Sequence, residues 1–135
     1  MSSTATFQAA ATAVPACAHP DVQFDHERFD VYRVALEFQT LVPRLFPRRG
    51  HGALRDQLDR ASSSVLLNIA EGRGRSARPD KAHFYLIARG SAMECAAVLD
   101  VLLNRDLVAP ATHRHARGLL LRVTQMLTRL VQRMQ

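Results

Sequence analysis

At 135 residues, 47% hydrophobic and 22% charged, the chain has the composition of one globular domain with a single core. The net charge is +6, and all but one of the 18 lysine and arginine residues are arginine, a side chain suited to forked phosphate contacts. No apolar run approaches the ~20 residues of a membrane span, and the N-terminus has neither the basic start nor the continuous apolar stretch of a secretion signal. A cytoplasmic protein without a membrane partner is therefore expected.

Residues 1–24 are rich in Ala, Thr, Ser, Gln and Pro and contain no basic residue. They read as a disordered N-terminal tail ahead of one helical domain over 25–135. The first helix is expected to start at Asp25, an N-cap, with Phe24 and Phe29 placed for a hydrophobic staple. It runs towards Phe46, with Pro43 disturbing its end and Pro47 stopping it. Asp30, Arg33, Glu37, Thr40 and Arg44 occupy one narrow polar sector. The remaining arc of roughly 240° is almost all apolar, too wide for a single packing partner.

A second helix over roughly 51–71 carries the stripe Leu54, Leu58, Ala61, Val65 and Ile69, with Leu66 and Leu67 outside it. Gly72 is expected to end it in the left-handed conformation. The third helix, from about 77–79 to Asn104, has the stripe Phe84, Ala88, Ser91, Cys95, Val98 and Leu102. A second face, Leu86, Gly90, Met93 and Ala97, lies opposite. The fourth helix runs from Pro110 to the C-terminus with Leu119, Val123, Met126, Leu127, Leu130 and Met134 on its core side. Four helices with short connections make an all-α antiparallel up-down four-helix bundle. The wide apolar surfaces of helices one and three ask for burial from two sides, so a homo-oligomer is expected.

Catalytic and metal chemistry find no support in the pattern. No Glu has a His three positions on, as di-metal bundles require, and His113 and His115 fall on different sides of a helix start. Cys17 lies in the tail, and Cys95 reads as a small buried hydrophobe with no base beside it. Gly72-Arg73-Gly74-Arg75 lacks the spacing and the preceding strand of a phosphate-binding loop. No enzyme activity, metal or cofactor is expected.

Charge points elsewhere. Arg73, Arg75, Arg78 and Lys81 form a compact basic cluster after the second helix. Arg114, Arg117, Arg122, Arg129 and Arg133 occupy roughly 160° of arc on the outer face of the fourth. No acid follows Asp106. Both clusters are candidate nucleic-acid-binding surfaces, acting through backbone contacts because aromatic residues are only 6% of the chain. A GC-rich genome accounts for the same arginine excess. Glu71, at the negative end of its helix, is expected to pair with Arg75 or Arg89. Arg60 and Arg89 are candidates for intersubunit or intramolecular pairing with Glu71, Glu94 or Asp59.

Asn68-Ile69-Ala70-Glu71-Gly72-Arg73-Gly74-Arg75 closely resembles the NIAEGxGR signature of a bacterial four-helix bundle family. That family includes 23S rRNA intervening sequence proteins and the accessory variability determinant (Avd) of diversity-generating retroelements. Asp30-Val31-Tyr32-Arg33-Val34-Ala35 is similar to the opening of its first helix, and Phe84-Tyr85-Leu86-Ile87-Ala88-Arg89-Gly90-Ser91 to its FLxIARGS segment. Gln57-Leu58-Asp59-Arg60-Ala61 with Ser63-Ser64-Val65 resembles its QLRRAxxSV segment, with Asp59 where a basic residue is usual. Asn68, Glu71, Gly72, Gly74, Arg89, Gly90 and Ser91 are then motif residues with a structural role. The resemblance implies a homopentameric ring and a non-catalytic, nucleic-acid-associated accessory protein. Its partners are other copies of itself, RNA or an RNA–DNA hybrid, and a reverse transcriptase if the gene lies in a retroelement. The alternative is an oligomeric structural or protein-interaction scaffold without a nucleic-acid role.

Overall fold

The structure, a computed structural model, describes residues 23–135. The expected tail lies outside the described residues up to residue 22, as does Cys17. Among the described residues there is no strand; the long elements are α1 (Asp30–Leu41), α2 (Gly52–Gly74), α3 (Arg78–Asn104) and α4 (Pro110–Met134). α1 and α3 each pack between α2 and α4. Helices adjacent in sequence are therefore adjacent in space, and with short connectors over 75–77 and 105–109 they run antiparallel as a four-helix bundle.

The first helix differs from expectation at both ends. Residues Asp25–Arg28 form a 3-10 turn, closed by the Phe24 N–H donating to Glu27 Oε2 at 2.7 Å. Phe29 then takes an extended backbone before α1 begins at Asp30. That break removes the helical spacing a Phe24–Phe29 staple needs. Phe24 instead stacks on His26 and is 73% exposed, while Phe29 leans on Tyr85. At the other end the α-helix stops at Leu41 and tightens into a 3-10 turn over Val42–Arg44, with Pro43 unable to donate to a helical carbonyl.

α3 holds the bundle together because its inner face is small. Ala88, Ala92 and Cys95 are fully buried beside Leu99 and Leu102, so the neighbouring helices approach closely. Tyr85, not Phe84, starts this stripe, and Phe84 is half-buried at its edge. α2 contributes Leu58, Val65 and Ile69, and Leu66 turns inward with them rather than lying outside the stripe. Leu127 and Val123 complete the centre from α4. Complete burial of such a side chain stabilises the fold by roughly 1.5–3 kcal/mol.

The wide apolar arc of α1 is satisfied within the chain. Val31, Val34, Ala35, Phe38 and Val42 are buried, and Tyr32, Leu36 and Leu41 pack against the core. α1 is short and lies in the groove between α2 and α4, so both flanks of its arc find partners. The case for a second partner rests instead on the outer face of α3. Leu86, Ile87 and Met93 are exposed there, Met93 at 61%; Leu67 of α2 is exposed at 69%.

Polar links join three of the helix seams. Gln39 Nε2 donates to Ser63 Oγ at 3.0 Å between α1 and α2, and Gln57 Nε2 to Glu94 Oε1 at 3.2 Å between α2 and α3. Buried His113 of α4 bonds through Nε2 to Asp100 Oδ1 of α3 at 3.0 Å.

Candidate nucleic-acid interface

The two arginine clusters meet very different fates. On α4, the buried line Ala116, Leu119, Leu120, Val123, Leu127 and Val131 fixes the inner face. The outer arc therefore presents Arg114, Arg117, Arg122, Arg129 and Arg133 to solvent. Among the described residues none of the five finds an ion-pair or hydrogen-bond partner. Helical projection sets Arg122, Arg129 and Arg133 on the side nearer α1. There Arg129 and Arg133 meet Arg28, Phe29, Asp30 and Leu130 around an open groove of ≈ 360 Å³. Arg28 is a member of this basic surface that the sequence pattern does not reveal, because the 3-10 turn carrying it replaces the expected helix.

At the α2–α3 corner the basic residues are engaged internally. Arg75 pairs with Glu71, one of the two partners expected, and its guanidinium lies 4.9 Å from the Phe84 ring centroid. Arg73 sits 4.9 Å from the centroid of Phe29. Lys81 Nζ donates to the backbone oxygens of Gly72 at 3.3 Å and Arg73 at 3.0 Å. It thereby adds a donor to carbonyls in the last turn of α2, where Gly72 O also accepts from the Arg75 N–H, and places a cation at the negative end of the helix. Of the four, Arg78 alone has no partner among the described residues.

Lys81 also explains why the glycine stop is not where expected. α2 continues through Gly72 to Gly74, and among the described glycines only Gly50 has positive φ. Gly72 is needed for space, not for backbone freedom. A Cβ there would lie 2.7 Å from Tyr85 Cε1, with Phe84 Cβ at 3.2 Å. Burial pushes the Tyr85 pKa up, with the Arg73 charge pulling the other way. Phe29, Arg73, Tyr85 and Gly72 thus form one packed corner where α1, α2 and α3 meet.

Other motif residues tie α2 to its neighbours. Asn68 Nδ2 donates to Ser64 O at 2.8 Å and Ser64 Oγ at 3.1 Å, and the Ser64 and Ser91 hydroxyls share a hydrogen bond of 2.8 Å. Arg89 bonds across the α3–α4 seam to Thr128 Oγ1 at 3.2 Å rather than to an acid, and Arg60 is exposed without a partner. Thr128 is nearer because Arg89 lies on the α4 side of α3. Gly90 and Gly74 face open space.

Among the described residues no cluster of three or more His, Cys, Asp or Glu side chains could hold a metal ion. Cys95 is fully buried, and burial together with Glu94 pushes its thiol pKa up to about 12. Such a thiol is a poor nucleophile near neutral pH. No helix of the described residues is long and apolar enough to cross a membrane.

A bundle with one bare arginine face and an internally locked basic corner belongs to the class of small basic helical-bundle proteins. The family model for the 23S rRNA-intervening sequence protein matches residues 27–129, and the chain belongs to that family. It is similar to the crystal structure of a protein of unknown function from the S23 ribosomal protein family of Bacteroides thetaiotaomicron VPI-5482. That likeness has a TM-score of 0.71 and 19% identity over 75% of this chain and 97% of the other, and it shows the fold alone. No curated protein matches the sequence.

Proposed function

We propose that this protein is a non-catalytic, oligomeric accessory protein that contacts the backbone of RNA, or of an RNA–DNA hybrid, through the outer face of α4. The observation that carries this reading is that Arg114, Arg117, Arg122, Arg129 and Arg133 are exposed and have no partner among the described residues. Exposed guanidinium groups in one arc form a field that attracts polyanions and releases their counterions on contact. The family's description, a protein of the 23S rRNA intervening sequence, supports RNA as the polyanion. Arg78 belongs to the interface, whereas Arg73, Arg75 and Lys81 act mainly as structural cations.

The exposed α3 residues Leu86 and Met93 support self-association. A homopentameric ring in the cytoplasm is the assembly we favour, and closure of the ring would repeat the α4 face around an axis. A reverse transcriptase becomes a partner if the gene lies in a retroelement. The same apolar surface also supports the competing reading, an interaction scaffold without nucleic acid.

Binding to a structured RNA over a salt series separates the two. A phosphate-contacting face gives a steep negative slope of log affinity against log salt, flattened by charge reversal on α4. Binding no tighter than that of an unrelated protein of equal charge leaves the scaffold reading. Light scattering tests the assembly, and a monomer at micromolar concentration would remove the oligomer.

A further inference from the structure

The turn between α1 and α2 carries four arginines, Arg44, Arg48, Arg49 and Arg55, and the fold divides them into two roles. Arg55 reaches back from α2. Its Nη2 donates to Pro47 O at 2.6 Å and Gly50 O at 3.4 Å, and its guanidinium lies 5.3 Å from the centroid of the buried Phe46 ring. The two carbonyls it binds flank Arg48 and Arg49. Gly50 and His51 complete the turn with φ of 83° and 59°. The left-handed region is disfavoured for a residue bearing a Cβ such as His51, so contacts rather than intrinsic preference hold this turn.

Arg44, Arg48 and Arg49 are exposed and make no ion pair or hydrogen bond among the described residues. Asp56 and Asp106, the nearby acids at this end of the bundle, are exposed and bridge to none of them. The turn is thus fixed by one cation while displaying others without counter-charges. It also borders the basic face already described. Arg44 and His115 line one open hollow with Leu45 and Thr112, and helical spacing sets His115 in the same sector of α4 as Arg122.

We propose that the turn over 44–49 is a preorganised phosphate-contact element that carries the α4 basic face around this end of the bundle. Its ligand is the sugar–phosphate backbone of a structured nucleic acid, met without base readout, so the inference rests on the proposed function and extends its footprint. Holding the turn in advance lowers the ordering cost of binding. Two adjacent guanidinium groups then offer forked donors to successive phosphates.

The test uses the full chain and a fluorescein-labelled RNA hairpin over a salt series. Arg48→Gln with Arg49→Gln should flatten the salt slope by about 1.8 units, about 0.9 per lost phosphate contact, with an unchanged melting temperature because neither residue has a partner in the fold. Arg60→Gln, which removes an exposed unpartnered arginine from α2, should leave the slope unchanged. Arg55→Lys keeps the net charge but loses the fork and the stacking on Phe46. It should weaken binding about threefold and raise amide exchange over 47–50. If the turn double variant keeps the wild-type slope while α4 charge reversal flattens it, this inference falls and the proposed function stands. A loss of slope with Arg60→Gln equal to that per turn arginine also overturns it, as does unchanged binding with Arg55→Lys. Wild-type binding no better than the equal-charge control overturns both readings.

Discussion

Two basic surfaces of similar appearance in the sequence are physically opposite in the fold. At the α2–α3 corner Arg73 stacks on Phe29, Arg75 on Phe84 and Glu71, and Lys81 covers the carbonyl end of α2. On α4 five arginines stand in one arc with no partner among the described residues. The corner spends its charge on the fold, and the α4 face keeps its charge for a partner. A cluster of basic residues therefore measures potential for binding only after its internal contacts are subtracted.

The largest effect separating the two regions should come from charge reversal on α4. Arg122→Glu, Arg129→Glu and Arg133→Glu together are expected to lower affinity for structured RNA on the order of 100-fold near 0.1 M salt. Their melting temperature should stay close to wild type, since surface changes without partners rarely alter stability. A large loss of stability would mean that the α4 face is structural after all.

The corner should show the reverse. Gly72→Ala introduces a Cβ at 2.7 Å from the buried Tyr85 ring. Overpacking of that kind costs about 1–3 kcal/mol, offset in part by about 1 kcal/mol of improved helix propensity. The remainder is about 0–2 kcal/mol, and a net loss near its upper end is expected in urea unfolding because the Tyr85 ring is buried. A thermodynamic cycle with Tyr85→Leu should show strong coupling. If Gly72→Ala is neutral, the corner is looser than its contacts indicate. Lys81→Met should destabilise by roughly 0.3–1 kcal/mol through the exposed end of α2, with RNA affinity little changed. Glu71→Gln should have the smallest effect of this set, about 0.2–0.5 kcal/mol, because both partners of its ion pair are about half exposed.

Core titration gives an independent check on packing behind the corner. The Tyr85 and Cys95 pKa values are both raised, from ordinary values of 10.0 and 9.0. Each group is therefore neutral in the fold at a pH where the unfolded chain would ionise it. Their contribution is complete below pH 9, and stability should fall as pH rises from there towards the folded-state values. Cys95→Ala should remove part of this alkaline loss, and native Cys95 should resist iodoacetamide at pH 8 until urea unfolds the chain. Rapid alkylation of the native protein would show that Cys95 is not sealed.

The helix periods were legible in the sequence wherever burial decides them. The third and fourth helices run over Arg78–Asn104 and Pro110–Met134, close to their expected limits, because Pro79 and Pro110 mark their starts and apolar spacing carries them onward. The entry to α1 was not legible. Asp25 and Glu27 look like a helix start, but the tertiary position of Phe29 against Tyr85 breaks the path into a 3-10 turn. Gly72 shows the same limit. A glycine near a helix end implies a left-handed stop, yet here it makes room for an aromatic ring thirteen positions on in the sequence.

The candidate site was legible in composition and only partly in geometry. Helical projection placed the α4 arginines on a free face, since that depends only on spacing. The same projection could not show that Arg73 and Arg75 would find aromatic rings, because those contacts join elements distant in sequence or across a turn. Arg89 was expected to meet an acid and instead bonds to Thr128, a partner set by the packing of α3 on α4.

Paired salt titrations of RNA binding test the central claim most directly. One variant carries Arg122→Gln, Arg129→Gln and Arg133→Gln, and the other Arg73→Gln, Arg75→Gln and Lys81→Gln, so each loses three positive charges. The α4 variant should flatten the slope of log affinity against log salt by about 2.7 units, about 0.9 per phosphate contact, while its melting temperature holds. The corner variant should keep most of the slope and lose stability. Equal flattening by both variants would contradict the account, since net charge alone would then govern binding, and a wild-type slope retained by the α4 variant would remove its outer face from the interface.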